Sequence, residues 1–370
     1  MRIVYVLTSL GIGGAEKQAL ALAKEMEKRG HAVALLVLSP QVREQWPTRI
    51  QTFHLNLTRS SFALAGAVAK ARKFLRDFRP DVINSHSFHS NLFARILAGR
   101  IPRCAVVSTV HNVYEGGWVR MFLYRITDGL SRRTIAVSHA AAERFISVKA
   151  VPEEKSGVIA NGIAIDDFAP DHQRRTQMRA QIGLDGRPEA TPFIWLAVGR
   201  VVPAKDYPNL LRAFAILRVG HPDAQMWVAG ETAGTVFSDC CALALQLRID
   251  QAIRWLGLSR DIPGLLDSAD AFVSSSAWEG MPLAVAEAMA MQKCIVATDV
   301  GGVRELLGEA GILVPPQNSQ ALASAMHSVM QQGSEEPSIR GRAARQRVID
   351  QFSIDGCATA WEKLYRETAL

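Results

Sequence analysis

Short apolar runs alternate with amphipathic stretches along this chain, and the alternation starts at its first residues. Ala19, Leu22 and Met26 recur at helical spacing, and Gly30 ends that pattern as a helix stop does. Strands that alternate with helices predict a parallel α/β sheet. The first half contains six runs typical of buried β-strands, at Ile3–Leu7, Val33–Leu38, Val82–Ser85, Val106–Val110, Ile135–Ser138 and Val158–Ala160.

A polar stretch between Asn161 and Pro192 interrupts the alternation, and we place a domain junction near Gly162–Pro170. A last helix, at about Ile354 to Thr368, follows the second set of strands and is predicted to pack across onto the first domain. Strand-like runs resume after the polar stretch, at Phe193–Val198, Met226–Ala229, Ile253–Leu256, Ala271–Val273, Cys294–Ala297 and Ile312–Val314.

The pattern therefore predicts an α/β fold of two Rossmann-like domains, each with a parallel sheet. The first comprises residues 1–165 with the C-terminal helix 352–370, and the second comprises residues 166–351. Because ligands bind at the carboxyl ends of parallel strands, we expect the active site in a cleft between two facing domains.

Composition narrows the class of protein. The chain has 370 residues, of which 48% are hydrophobic and 21% charged, as in globular proteins. No apolar run reaches the roughly 20 residues that span a bilayer, and the N-terminal residues read as a strand rather than a signal peptide. The five cysteines form no C-x-x-C pair, which argues against a zinc site and favours the reducing cytoplasm.

Charge is distributed unevenly between the halves. Residues 1–165 carry 23 Lys and Arg against 11 Asp and Glu, whereas residues 166–370 carry 19 against 24. Solvated helix faces explain any single basic stretch equally well. No nucleic-acid-binding motif accompanies the excess, so we expect an anionic inner-leaflet membrane surface or a lipid-diphosphate acceptor, and no nucleic acid, as the partner. Two stretches are most basic, Lys70, Arg72, Lys73, Arg76 and Arg79, then Arg120, Arg125, Arg132 and Arg133, with Trp118, Met121, Phe122 and Tyr124 interleaved in the second.

Two strand-to-helix turns suit an anionic ligand. Residues 10–16 are rich in glycine, including Gly13 and Gly14, but Glu16 stands where a dinucleotide fingerprint has its third glycine, and a merely tight turn explains them equally well. Residues 199–206 present Arg200 and Lys205, a forked cation and a point charge that together suit a departing diphosphate. Taken alone, these cations are better explained as an exposed basic loop.

Residues 274–290 hold the sharpest signal. Glu279 is predicted in a loop and Glu287 in the following helix, with Pro282 in its first turn, so that both ends of a nucleotide-sugar are within reach. Carboxylates accept hydrogen bonds from sugar hydroxyls, and the backbone N–H groups around Gly280 to Leu283 suit a diphosphate. From spacing alone, two glutamates beside a helix start are better explained by the helix dipole.

These segments together resemble the retaining GT-B glycosyltransferases of family four. The Glu279–Glu287 segment resembles the family's E-x7-E motif, and residues 11–16, the Arg200 and Lys205 pair and Gly301-Gly302 are similar in order and spacing. The resemblance covers essentially the whole chain and implies a GT-B fold.

The resemblance also implies roles for the matching positions. Arg200 and Lys205 would stabilise the leaving diphosphate, Glu279 would contact the donor sugar, and Glu287 would hold the ribose. His111, which follows a strand, matches a position beside the reacting sugar, although a histidine that only caps the strand is a competing explanation. The remaining donor-binding positions would be Gly13, Gly14, Gly280, Met281, Pro282, Leu283 and, beside the base, Leu258.

The expected reaction is transfer of a hexose or N-acetylhexosamine from a nucleotide-diphospho-sugar, with UDP favoured, to a hydroxyl of a glycan or lipid-linked glycan. The family retains the anomeric configuration, and we expect a cytoplasmic enzyme, peripheral at the membrane, in lipopolysaccharide, O-antigen, capsule or exopolysaccharide synthesis. The sequence contains no Asp-x-Asp, so we expect cationic side chains in place of a metal and no cofactor.

Other functions remain open at this stage. A sugar-nucleotide epimerase or a phosphorylase also uses paired α/β domains, although neither accounts for the basic first half. A catalytically silent membrane-surface scaffold would keep the fold and the basic face but would not need Arg200, Lys205, Glu279 and Glu287. The interrupted glycine fingerprint counts against a nicotinamide-dependent oxidoreductase.

Overall fold

The computed structural model describes residues 1–11, 13–40, 50–57, 61–98, 101, 104–181, 192–332 and 335–369. They form two units, one of residues 1–162 and 352–370 and the other of residues 163–351. The predicted domain boundary after residue 165 lies three residues beyond the division between the units.

The first unit alternates strands with helices around a parallel sheet. The sheet order is β3-β2-β1-β4-β5-β6-β7, so that β1 and β4 are the neighbours at which strand order reverses. Its strands are β1 (Arg2–Leu7), β2 (Ala32–Val37), β3 (Gln51–His54), β4 (Val82–His86), β5 (Ala105–Val110), β6 (Arg133–Ala136) and β7 (Ser156–Val158). Its helices up to the division are α1 (Gly14–Lys28), α2 (Ser61–Phe78), α3 (Phe88–Ala98), α4 (Trp118–Thr127) and α5 (His139–Ser147).

The second unit repeats the arrangement with a six-stranded parallel sheet of order β10-β9-β8-β11-β12-β13. Its strands are β8 (Ile194–Val198), β9 (Gln225–Ala229), β10 (Ile253–Gly257), β11 (Ala271–Ser274), β12 (Cys294–Thr298) and β13 (Ile312–Val314). Its helices are α6 (His172–Gln181), α7 (Tyr207–Gly220), α8 (Thr235–Gln246), α9 (Ile262–Ser268), α10 (Leu283–Ala290), α11 (Val303–Leu307), α12 (Ser319–Gln331) and α13 (Glu335–Gln351). The last helix, α14 (Ile354–Ala369), belongs to the first unit.

Strand β1 shows why the first sheet is apolar on both faces. Ile3, Tyr5 and Leu7 point to the face covered by α1 and α14, whereas Val4 and Val6 point to the face covered by α2 and α3. All five side chains are buried. A central parallel strand buries both faces, and it therefore reads in sequence as a continuous apolar run.

Helix α14 is held to the first sheet by polar as well as apolar contacts. Trp361 and Tyr365 lie in the apolar cluster with Ile3, Tyr5 and Leu7. The Tyr365 hydroxyl accepts from Asn84 Nδ2 at 2.5 Å and donates to the Tyr5 hydroxyl at 3.3 Å. The C-terminal residues thereby complete the core of the first unit.

Two strands of the first sheet differ from the prediction. Strand β3 was not predicted, because Gln51–His54 contains no apolar run and forms only as an edge strand against β2. The strand predicted at Val158–Ala160 lies instead at Ser156–Val158, because its register is set by pairing of Ala136 with Val158. Backbone pairing with a neighbour, rather than local hydrophobicity, decides where such edge strands begin and end.

Candidate active site

The second unit brings charged side chains together at the carboxyl ends of β8 and β11, the neighbours at which its strand order reverses. Parallel α/β sheets bind ligands at this kind of position. Lys205 follows β8 and Glu279 follows β11, and their Nζ and Oε1 atoms are 2.5 Å apart. The fold therefore joins the two most informative charged residues of the sequence in one ion pair.

Lys205 is positioned by the loop between β8 and α7. It ends a short 3-10 turn, Pro203–Lys205, after which Asp206 adopts a left-handed backbone with φ of 44°. The Asp206 side chain caps α7 by accepting from the backbone N–H of Asn209. Ser275 Oγ donates to the Lys205 carbonyl oxygen at 2.8 Å, which ties this loop to the end of β11.

Glu279 is 7% exposed, and two donors meet on one of its oxygens. Ser276 Oγ donates to Oε1 at 2.7 Å, in addition to the contact from Lys205. Thr298 Oγ1 donates at 2.6 Å to the Ser276 carbonyl oxygen and so fixes the loop from β12. Oε2 of Glu279 has no hydrogen-bond partner among the described residues. The carboxylate is thus oriented through one oxygen and can accept a ligand hydroxyl through the other.

Arg200 lies on the same loop as Lys205, but the surroundings of the two side chains differ. Its side chain is exposed and makes no hydrogen bond or ion pair with any residue that the structure describes. The backbone beside it is tightly packed, because a Cβ at Gly230 would lie 2.1 Å from the Gly199 carbonyl oxygen. Only glycine is compatible with this approach of β9 to β8. Arg200 therefore projects a free guanidinium from a rigid backbone.

Glu287 lies inside α10 and is 5% exposed. The helix begins at Leu283, and Pro282 is its N-cap residue with extended backbone rather than a residue of the first turn as predicted. The Gly302 N–H donates to the Gly280 carbonyl oxygen at 2.8 Å, which fixes the segment before the helix. Met281, Pro282 and Leu283 are buried.

The end of β10 carries a packed aromatic residue, and the residue after the strand is exposed. The Trp255 ring makes edge contacts with Tyr207 and Phe237, at centroid distances of 6.2 and 5.2 Å. Leu258, predicted beside the base, is 54% exposed. The exposed Leu258 beside the packed indole forms an apolar surface at the carboxyl end of the sheet, the end at which Lys205 and Glu279 also lie.

The glycine-rich turn of the first unit lies between β1 and α1, at the strand pair where the order of the first sheet reverses. Ile12 of this turn lies outside the described residues. Gly13 is the N-cap residue of α1 and Gly14 its first residue. The Glu16 carboxylate folds back over the turn, where it would lie 2.4 Å from a Cβ at Gly13, and it accepts from Ser9 Oγ at 3.2 Å. A carboxylate beside a helix N-terminus is favourable because of the helix dipole.

His111 follows β5 and pairs with His86, the last residue of β4. Nε2 of His111 and Nδ1 of His86 are 2.8 Å apart. Burial lowers the pKa of His111 to about 4, and burial together with His111 lowers the pKa of His86 well below its ordinary value. Both rings are therefore neutral at pH 7, and the contact is a hydrogen bond between neutral imidazoles.

The carboxylate of Glu115 holds the backbone of His111 in place. The backbone N–H of His111 donates to Glu115 Oε1 at 3.0 Å, and the Tyr124 hydroxyl donates to Glu115 Oε2 at 2.7 Å. Tyr124 is fully buried, and its hydroxyl also accepts from Asn91 Nδ2 at 2.8 Å. The loop that carries His111 is thereby anchored to helices α3 and α4.

Comparison with known proteins agrees with this architecture. The family model for glycosyl transferases group 1 matches residues 184–347, and the model for glycosyltransferase family 4 matches residues 12–167. The chain is a glycosyltransferase of the group 1 and family 4 type.

Relatives of this glycosyltransferase carry the names of different transferases. Glycogen synthase of Mycobacterium tuberculosis is 29% identical over 78% of this chain and 69% of the relative. An Escherichia coli enzyme named UDP-Gal:alpha-D-GlcNAc-diphosphoundecaprenol alpha-1,3-galactosyltransferase is 25% identical over 76% of this chain and 74% of the relative. The crystal structure of Anabaena HepE in complex with UDP and glucose covers 99% of this chain and 100% of its own, with a TM-score of 0.87 and 21% identity. The fold is GT-B, as the sequence predicted.

Sequence reasoning missed three residues that contact predicted site residues. His86 follows the predicted strand Val82–Ser85 directly and is the last residue of β4. A histidine at the carboxyl end of a parallel strand lies where such sheets bind ligands, and this position could have identified it. Ser276 lies within residues 274–290 but has no role in the predicted site, and Glu115 lies outside the predicted motifs. The structure places all three in contact with a predicted residue.

Two further observations concern the predicted environment. The cysteines, Cys104, Cys240, Cys241, Cys294 and Cys357, are all free. None of the helices in the described part of the chain is both long and apolar enough to cross a membrane.

Proposed function

We propose that this glycosyltransferase transfers a hexose or N-acetylhexosamine from a UDP-sugar, with retention of configuration and without a metal or other cofactor. The acceptor in this proposal is a hydroxyl of a glycan or lipid-linked glycan in the synthesis of a bacterial surface polysaccharide, such as lipopolysaccharide, O-antigen, capsule or exopolysaccharide. The observation that carries the proposal is the Lys205–Glu279 ion pair beside Arg200 at the strand-order reversal of the second sheet.

Departure of UDP leaves negative charge on the diphosphate, and the site must offset it. In the proposal the free guanidinium of Arg200 grips phosphate oxygens while Lys205 supplies a point charge. Cations that are already positioned need little reorganisation when charge develops, and such electrostatic stabilisation is often the largest contribution to catalysis. This assignment lets side chains take the place that a metal ion has in other transferases.

The carboxylates hold the sugar and the ribose. Glu279 accepts from hydroxyls of the donor sugar through Oε2, and the buried Glu287 accepts from the ribose hydroxyls. The backbone around Gly280 to Leu283, through the N–H groups of its residues other than Pro282, and the glycines Gly13 and Gly14 bind the donor, with Leu258 beside the base. His111 orients the reacting sugar, for which the contacts from His86 and Glu115 hold it in place.

The relatives support the choice of substrates without deciding it. The name of the Escherichia coli relative specifies a UDP-sugar donor and a lipid-diphosphate acceptor, and HepE was crystallised with UDP and glucose. In this proposal the reaction takes place at an anionic membrane surface facing the cytoplasm, which the basic first unit supports. The free cysteines are compatible with that reducing compartment.

Donor hydrolysis and thermal shift with a panel of UDP- and GDP-sugars, in the presence of EDTA, test the proposal. One UDP-sugar should stabilise the wild type and be hydrolysed slowly, with the anomeric configuration of the first-formed sugar retained by NMR. Glu279→Gln and Lys205→Met should each lower the rate by about 100-fold. Glu309→Gln, an exposed change in the same unit, serves as the control and should have no effect.

The ion pair can also be tested as a unit. Because Lys205 and Glu279 act on the same donor, the double variant should lose less than the product of the two single losses. Activity that requires added Mn²⁺ would contradict the metal-independent proposal. Absence of binding by every nucleotide-sugar would leave a silent scaffold as the better explanation.

A further inference from the structure

Helix α4 presents an apolar face to solvent. Among the described residues, thirteen large apolar side chains are exposed, and six of them lie within residues 114–130. Those in the second unit, such as Val219 and Leu245, are distributed over several elements. The six are Tyr114 at 51%, Trp118 at 80%, Val119 at 49%, Phe122 at 52%, Ile126 at 57% and Leu130 at 43%.

The exposed face of α4 is fixed by the buried one. Tyr124 is fully buried and packs edge-on against Phe88 and Phe145, at centroid distances of 5.5 and 5.3 Å. Arg95, also fully buried, donates to the Tyr124 carbonyl oxygen at 2.9 Å. With this side locked, Trp118, Phe122 and Ile126, spaced four residues apart, share the opposite side of the helix. These three side chains are therefore exposed in the folded protein.

The charge of this surface is positive. Arg125 and Arg132 are exposed and have no side-chain partner among the described residues. The acidic groups in residues 114–133 are engaged internally: Glu115 accepts from Tyr124 and the backbone of His111, and Asp128 pairs with Lys155 at 2.9 Å. Apolar and aromatic side chains flanked by unpaired arginines therefore face the solvent without a compensating carboxylate.

We propose that α4 and its flanking residues, 114–132, form a docking surface that inserts into the interface of an anionic lipid bilayer. Trp and Phe side chains favour the boundary between headgroups and acyl chains, and arginines beside them reach the lipid phosphates. A symmetric contact with a second copy would instead bring Arg125 and Arg132 close to the same arginines of the other chain. The inference rests on the proposed membrane acceptor, and it identifies the surface that brings the enzyme to it.

The basic helix α2 provides an internal comparison. Its exposed described side chains, such as Lys70 and Lys73, are charged or small, and none is a large apolar residue. Such a face attracts anionic lipids only through charge, which salt screens. The docking surface on α4 should instead keep part of its affinity at high salt, because burial of apolar side chains is not screened.

Sedimentation of the full chain with vesicles tests the docking surface. Wild type should bind vesicles of phosphatidylglycerol and phosphatidylethanolamine and bind phosphatidylcholine vesicles far less. The double variant Trp118→Ser/Phe122→Ser should lose about tenfold in partition, and Arg125→Gln about fivefold, as for one interfacial cation. The double variant Val219→Ser/Leu245→Ser removes two comparably exposed apolar side chains from the second unit and should bind like wild type.

Three results would overturn the proposal. They are failure of wild type to bind either vesicle, equal binding by Trp118→Ser/Phe122→Ser, and self-association that this variant abolishes in the absence of lipid. Hydrolysis of the UDP-sugar in solution should be unchanged in all of these variants. If hydrolysis is absent from wild type while vesicle binding follows the pattern above, the proposed reaction fails and the docking surface stands.

Discussion

His86 and His111 show how single residues depend on their surroundings. His86 is 2% exposed, and its Nε2 atom has no hydrogen-bond partner among the described residues. A buried donor without a partner is rarer than a buried acceptor without one, so we assign the proton of His86 to Nδ1. His86 then donates to Nε2 of His111, and His111 carries its own proton on Nδ1.

The pair predicts acid sensitivity. The pKa of His111 is lowered from 6.5 to about 4, so the folded state disfavours its proton relative to the unfolded state. Its contribution to stability is complete above pH 6.5 and is lost as the pH falls from 6.5 towards 4. Chemical denaturation should show the free energy of unfolding falling by about 1–2 kcal/mol between pH 7 and pH 5 because of this group.

Variants separate this effect from general acid unfolding. His111→Asn removes one of the two buried titrating rings and should make the dependence between pH 7 and pH 5 shallower, with the remainder due to His86. His172→Asn, an exposed histidine of the second unit, should leave it unchanged. An equally steep dependence in His111→Asn would show that the ring is not the group responsible.

At the scale of elements, helix α14 contacts residues that are very distant from it in the sequence. Tyr365 reaches Asn84 across 281 positions and Tyr5 across 360. Arg29 of the first helix region contacts Asp355 at 2.5 Å and Glu362 at 3.3 Å. The final residues are therefore part of the first unit rather than an appended tail.

Substitutions in α14 should destabilise the first unit in a graded way. Trp361→Ala removes a buried indole and should cost about 3–5 kcal/mol. Tyr365→Phe leaves the buried amide of Asn84 without this acceptor and should cost about 1–2 kcal/mol. Calorimetry measures both, with the exposed Lys363→Ala of the same helix as control. A Trp361→Ala variant that melts like the control would contradict this packing.

For the whole molecule, two units with separate cores predict separable responses to ligand and to mutation. Hydrogen exchange with and without UDP should show protection in residues 199–206 and 276–283, where the proposed diphosphate site lies. The amides of α14 should show much less change. Protection spread evenly over the chain, or confined to the first unit, would contradict the placement of the nucleotide.

The sequence by itself determined much of the fold. Buried parallel strands are continuous apolar runs, so twelve strands and the repeated α/β architecture were visible from local hydrophobicity. Arg200, Lys205 and Glu279 could be singled out because they lie in loops between a strand and a helix that the pattern marks, and Glu287 because it follows Glu279 at the spacing of the family motif. The family resemblance was visible for the same reason, since it depends on the spacing of residues within single turns.

Only the tertiary structure decided which of these residues meet and which face water. The contact of Lys205 with Glu279 follows from the order of strands in the sheet, and the contact of His86 with His111 follows from the pairing of β4 with β5. Strand β3 exists because β2 offers it a backbone edge. Helix α4 is apolar on both sides, so its sequence cannot tell the buried Tyr124 from the exposed Trp118. Local pattern encodes elements, whereas packing against distant residues decides contact and exposure.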